Sequence, residues 1–147
     1  GMQPPQTFKK AERLCNRKLI GRLFTNGRSF FLYPFKIIYL RIDQDERRLF
    51  SELSPVQVLF TISKRRFKRA VDRNRLKRLM REGYRKNKHE LYETLNEPKA
   101  NLALGLVYTG REILTYQEIE PKIKAVIMRL KQEIKVTENK NANHVEP

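Results

Sequence analysis

Between Lys64 and Lys88 thirteen lysines and arginines stand against only two carboxylates, Asp72 and Glu82. Guanidinium forks and ammonium groups in that density are suited to holding phosphate, and an asparagine amide among them both donates and accepts hydrogen bonds. At 100° per residue, Arg73, Asn74, Lys77, Arg78, Arg81, Arg85 and Lys88 fall on one arc of a helix, and Leu76, Leu79, Met80, Gly83 and Tyr84 on the other. The leucine stripe is expected to dock on a core and hold the cations outward as an ordered array. Asp72 is placed to cap the helix N-terminus. Most charged helix faces are simply solvated, but those usually mix signs. Here Arg73, Lys77, Arg81 and Arg85 repeat at i,i+4, and each like-charged pair costs about 0.2–0.5 kcal/mol. A polyanion bound along the face would relieve that repulsion.

Hydrolytic chemistry by the polypeptide would need its own acid, base or metal ligands. The two histidines, His89 and His144, lie in polar segments with no evident partner, and no paired-carboxylate or metal-spaced motif is visible. Glu82 reads as an intrahelical partner of Arg78 or Arg85. Cys15 is the single cysteine, which excludes an internal disulfide and a cysteine-rich zinc site, and it reads as packing rather than as a nucleophile. No catalytic residue, metal site or protein-bound cofactor is expected. The net charge of +16 over 147 residues points first to nucleic acid and second to an anionic membrane surface. No apolar run approaches the roughly 18 residues of a membrane span. The N-terminus has no signal-peptide pattern, so a cytoplasmic setting is expected. Gly1 ahead of Met2 reads as a remnant of tag removal.

The elements that must position this array follow from periodicity. Residues 1–8, with Pro4-Pro5, read as a flexible arm, 9–135 as a single domain and 136–147 as a disordered tail. Leu19, Ile20, Leu23 and Phe24 repeat at helical spacing, with Asn26-Gly27 as a stop. PFKIIYLRI (34–42) reads as a strand, 43–55 as a connection resembling a long hairpin loop, and VQVLFTIS (56–63) as a second strand antiparallel to the first. A short further strand is possible at Phe30–Tyr33. NLALGLVYT (101–109) is a buried strand. Thr115 and Glu118 match a capping box ahead of an amphipathic helix, with Pro121 near its start favouring a later beginning or a bend. The order is helix, strand, strand, helix, strand, helix, an α+β two-layer sandwich with helices packed on a sheet.

No helix-turn-helix, finger or zipper accompanies the charged helix. A sheet-backed basic helix with nearby aromatics (Phe30, Phe31, Tyr33, Phe35, Tyr39) suits RNA better, because unpaired bases can stack on aromatic faces. At least half of those aromatics are expected in the strand core instead.

TISKRRFKRAVDRNRLKRLMREGYR (61–85) closely resembles the signature of the bacterial ribonuclease P protein subunit. In that family a strand ending in a Ser-Lys-Lys-like run leads to Ala-x-x-Arg-Asn-Arg-x-Lys-Arg-x-x-Arg. Ser63, Lys64, Arg65, Ala70, Arg73, Asn74, Arg75, Lys77, Arg78 and Arg81 match it without a gap. Weaker agreement covers roughly residues 9 to 135, including Arg13-Leu14, Leu23-Phe24, Gly27, Ser29, Leu104 to Tyr108 and Leu114-Thr115-Tyr116. The resemblance implies a mixed sheet with a left-handed β-α-β crossover, against the usual rule. It also implies an accessory subunit of an endonuclease that removes the 5′ leader from precursor tRNA. The catalytic RNA would hold the Mg2+ it requires and perform the hydrolysis, with one protein per RNA. Lys64, Arg65, Arg73, Asn74, Arg75, Lys77, Arg78 and Arg81 would contact that RNA. A cleft between the first helix and the sheet would hold the single-stranded leader, with Phe24 and Tyr39 as candidates. This sequence departs from the family where a first-helix position that can be aromatic is Ile20, and the cleft tyrosine aligns with either Ile38 or Tyr39. Two rival readings are a non-catalytic, ribosome-associated RNA-binding module and a membrane-surface protein using the basic amphipathic helix. The latter would need Leu76, Leu79 and Met80 exposed.

Overall fold

The computed structural model describes residues 7–96 and 98–143. Its regular elements are α1 (Arg17–Asn26), β1 (Arg28–Leu32), β2 (Phe35–Arg41), β3 (Val56–Ile62), α2 (Ala70–Asn87), α3 (His89–Thr94), β4 (Leu102–Tyr108) and α4 (Tyr116–Asn143). The strands form one sheet in the order β1-β2-β4-β3. The β1–β2 and β2–β4 pairs are antiparallel, whereas β3 and β4 are parallel. Helices pack on both faces of this four-stranded mixed sheet, an α+β architecture.

Each strand alternates between two cores, as a period of two requires. Phe35, Ile37 and Tyr39 of β2, Val58 and Phe60 of β3, and Leu104 and Leu106 of β4 join Leu76, Met80, Tyr84, Ile123 and Ile127 beneath α2 and α4. Ile38, Ile42 and Ala103 face the other way and meet Leu14, Leu19 and Leu23 beneath α1. Two glycines permit close approach. A Cβ on Gly27 would stand 2.3 Å from the Leu23 carbonyl oxygen and 2.9 Å from Ile38, so the chain could not pass from α1 into β1 beside the sheet. A Cβ on Gly83 would stand 2.8 Å from Ile123, where α2 meets α4.

The handedness of the β3-α2-β4 connection follows from chain chirality. Ile42 lies on the α1 side and its backbone N–H donates across to Asn101 at 3.0 Å. In a strand of L-residues, a side chain facing the viewer with the chain rising directs its N–H and C=O to the right. Viewed from α1 with β2 rising, β4 therefore lies to the right of β2 and β3 to the right of β4, both descending, with α2 behind. That crossover is left-handed, the uncommon hand.

Several sequence expectations need correction. The 43–55 connection is not a hairpin loop, because β4 lies between β2 and β3. Antiparallel in direction, the two strands never pair. Part of the connection is a 3-10 segment, Gln44–Leu49, tied to α1 by ion pairing of Arg22 with Glu46. The short strand is real and begins earlier, at Arg28. Asp72 is not the N-cap of α2; Arg69 is, and Asp72 sits in the first turn, where the helix dipole still favours it. Phe8 is no part of a loose arm, since its ring packs on Phe60 and Tyr84. The capping box of α4 holds, with Thr115 N–H donating to Glu118 at 2.9 Å and Glu118 N–H to the Thr115 hydroxyl at 3.3 Å. Helix α4 begins there despite Pro121 and continues to Asn143, through residues read as tail, where neither Gly nor Pro interrupts it. Residues 1–6 of the expected arm and 144–147 of the tail lie outside the described residues.

Candidate RNA-binding face

The strand register places one end of the molecule. Ile62, Tyr108 and Phe35 stand abreast, so the β1–β2 hairpin, the loop after β3, the start of α2 and the loop after β4 converge there. The acidic connection carrying Asp43, Asp45, Glu46 and Glu52 lies at the opposite end, between the finish of β2 and the start of β3.

At the basic end the loop is tightly held although its cations are exposed. Phe67 is buried, with its ring 5.9 Å from Tyr108 and its N–H donating to the Ser63 carbonyl. Arg66 donates to the Thr109 carbonyl, and Thr109 in turn bonds the Pro34 carbonyl through both N–H and hydroxyl. From the helix, Arg73 donates to the Phe67 and Lys68 carbonyls at 2.7 and 2.8 Å. This guanidinium fastens the loop to α2, so Arg73 serves the scaffold as well as any ligand.

The structure brings together the other residues singled out by the sequence. Lys64, Arg65, Asn74, Arg75 and Arg78 are exposed, and Lys77 and Arg81 are half-buried along the same helix. Among the described residues, Lys64, Arg65, Asn74, Arg75, Lys77 and Arg78 have no side-chain hydrogen bond or ion pair. Leu76 and Met80 are fully buried and Leu79 is half-buried against the same core. The stripe is therefore occupied by the sheet and by α4, not offered to a membrane. No helix among the described residues is long and apolar enough to cross one.

The far end of α2 departs from the expected arc. Arg85 donates to Glu82 at 2.6 and 3.1 Å, and this hydrogen bonding holds the Glu82 carboxyl below its ordinary range. Lys88 does not face outward: it is 5% exposed and its ammonium meets Glu12 and the Thr7 carbonyl, with Tyr92 donating to the same carboxylate. Burial pushes the Tyr92 and Tyr84 hydroxyls well above the ordinary phenol range. Nothing in the local spacing of Glu12, Lys88 and Tyr92 announces this network, because its members lie up to 80 residues apart.

A second surface lies on the α1 side of the sheet. Helix α1 starts near β3, where Leu14 bonds Val58, and ends over β2 at Gly27. With Leu19 and Leu23 on the sheet, a right-handed helix in that direction turns Ile20 and Phe24 toward the basic end. Phe24 is 49% exposed. Tyr39 is not on this surface. It lies beneath α4, with its ring 6.3 Å from Phe30 and its hydroxyl donating to Glu133 at 3.0 Å. Burial and the Glu133 carboxylate raise its pKa. The neighbouring Ile38 takes the α1 side, since successive strand residues alternate faces. Among the described residues no group of three His, Cys, Asp or Glu side chains could hold a metal ion.

Comparison with known proteins agrees with this geometry. The family model for Ribonuclease P matches residues 8–131. The ribonuclease P protein component of Porphyromonas gingivalis is 34% identical over 131 residues, spanning 88% of this chain and 91% of that protein. That of Chlorobaculum tepidum is 61% identical over 89 residues, 58% of this chain and 54% of its own length. Among solved structures, the RNase P protein of Staphylococcus aureus superposes with a TM-score of 0.57 at 18% identity, covering 83% of this chain and 97% of that one. The RNase P protein of Thermotoga maritima gives the same score and identity over 80% and 96%. With the family model matching most of the chain and a relative 34% identical over nearly its whole length, the protein is a member of the ribonuclease P protein family.

Proposed function

We propose that this chain binds the catalytic RNA of ribonuclease P through Lys64, Arg65, Arg73, Asn74, Arg75, Lys77, Arg78 and Arg81. It also guides the 5′ leader of precursor tRNA along the α1 side of the sheet. One observation carries the reading. The fold spends Phe67, Arg66 and Arg73 on immobilising a loop and the start of a helix on which Lys64, Arg65, Arg75, Lys77 and Arg78 have no internal partner. Cations on a backbone held in that way gain most from a polyanion, because little backbone freedom is left to lose on binding. The RNA, with its Mg2+, performs the hydrolysis, and the protein contributes charge and position in a one-to-one complex in the cytoplasm. Phe24 and Ile20 border the leader path, with Ile38 buried beneath α1 behind them; Tyr39, on the opposite face, does not.

Six to ten phosphate contacts would weaken binding by roughly 10³ to 10⁵-fold between about 50 and 200 mM salt on the duplex-DNA scale. The same charge would screen enzyme RNA from substrate RNA and lower the Mg2+ requirement. Precursor-tRNA cleavage by the catalytic RNA at low Mg2+, with and without the protein, tests the reading. Strong stimulation is expected. Tight RNA binding without stimulation would reduce the protein to an RNA-binding module.

A further inference from the structure

The α1 side of the sheet is covered along one row of residues and open along the next. Ser29, Ile38, Gly105 and Leu59 stand opposite one another across the four strands, and Ile38 and Gly105 at the centre are buried beneath α1. One step nearer the basic end, on the same face, the row is Phe31, Lys36, Val107 and Thr61, and none of these is buried. Phe31 is on this face because its neighbours Phe30 and Leu32 pack into the opposite core. Its ring is 70% exposed, with the Lys36 ammonium 5.8 Å from the ring centroid. An aromatic this exposed on an edge strand, beside a cation and on the same side of the sheet as α1, has no packing duty in the fold.

We propose that Phe31, with Lys36, extends the leader path across the edge strand, stacking one unpaired base while the ammonium meets its phosphate. The inference rests on the leader reading above. It answers a deficit specific to this chain, in which Ile20 and Ile38 leave Phe24 as the one aromatic contributed by α1 and the α1-facing residues of β2. A single strand of RNA is the fitting occupant: stacking tolerates any base, and the cations Lys36, Lys64 and Arg65 at this end favour a polyanion.

The test uses the assembled holoenzyme and measures affinity for precursor tRNAs with long and short leaders, with 2-aminopurine placed at successive leader positions. Phe31→Ala should weaken long-leader binding roughly tenfold and relieve the quenching of one 2-aminopurine. It should leave short-leader binding and protein affinity for the catalytic RNA at wild-type values, and Phe31→Tyr should restore both signals. If Phe24→Ala removes the leader-length dependence and Phe31→Ala changes nothing, the Phe31 inference fails and the leader reading survives. If the wild-type holoenzyme shows no leader-length dependence, both fail. If Phe31→Ala weakens binding of the catalytic RNA itself, Phe31 contacts that RNA and the inference is overturned.

Discussion

The two ends of α2 carry the same kinds of residue and do opposite things. In its first turns Asn74, Arg75, Lys77 and Arg78 reach solvent without an internal partner, while in its last turns Arg85 is paired to Glu82 and Lys88 is buried against Glu12. Helical periodicity treats all of them except Arg75 as one charged arc, because it registers where a side chain points and not what waits there. At the start of α2 the surroundings are other cations on a clamped loop. At its end they are a carboxylate and a backbone carbonyl from the other end of the chain, with a tyrosine one helical turn on. Charge that the fold neutralises belongs to stability, and charge that it leaves unneutralised is available for a ligand.

The largest expected effect breaks the stability half of that contrast. Lys88→Met leaves Glu12 as a buried, unpaired carboxylate and should cost about 3–5 kcal/mol in denaturant unfolding. Adding Glu12→Gln should recover most of the loss, since the penalty lies in the orphaned charge. The salt dependence of RNA binding should not change in either variant. Next in size is the binding half. Arg75→Ala with Arg78→Ala should leave the unfolding midpoint near wild type while lowering the slope of log K against log salt by about 2. Arg73 sharpens the comparison because it belongs to both halves. Arg73→Ala should cost about 1–2 kcal/mol through the freed Phe67 and Lys68 carbonyls, raise hydrogen exchange in the 64–69 loop and also weaken RNA binding. The smallest effect is in acid. Hydrogen bonds from Arg129 and then Tyr39 hold the Glu133 carboxyl below its ordinary value of 4.5. Its contribution is therefore complete above that pH and is lost as pH falls through the lower folded value. Glu133→Gln should lower the melting temperature slightly near neutrality and leave it unchanged below the folded value, so that the acid limb of the profile flattens.

Much of the architecture was legible in the chain. The alternation in β2 and β3, the Leu-Met stripe of α2 and the Thr115–Glu118 box are local patterns, and local patterns survive folding. The Arg-Asn-Arg run gave the basic face for the same reason. What stayed hidden depends on residues distant in sequence. The insertion of β4 between β2 and β3 is invisible to periodicity, and so is the Glu12–Lys88–Tyr92 network. Tyr39 and Ile38 differ by a single position, yet that step moves the side chain to the other face of the sheet, and only the packing of α1 and α4 decides which face each takes. Asp72 looked like a cap because its type suits one, but the clamp on the loop starts the helix two residues before it.

The most direct test of the account is the salt dependence of catalytic-RNA binding measured side by side for wild type, Arg75→Ala/Arg78→Ala and Lys88→Met. The account predicts a slope reduced by about 2 in the arginine pair and a wild-type slope for folded Lys88→Met. A wild-type slope in the arginine pair, with the loss appearing in Lys88→Met instead, would contradict it and move the RNA contact to the other end of the helix.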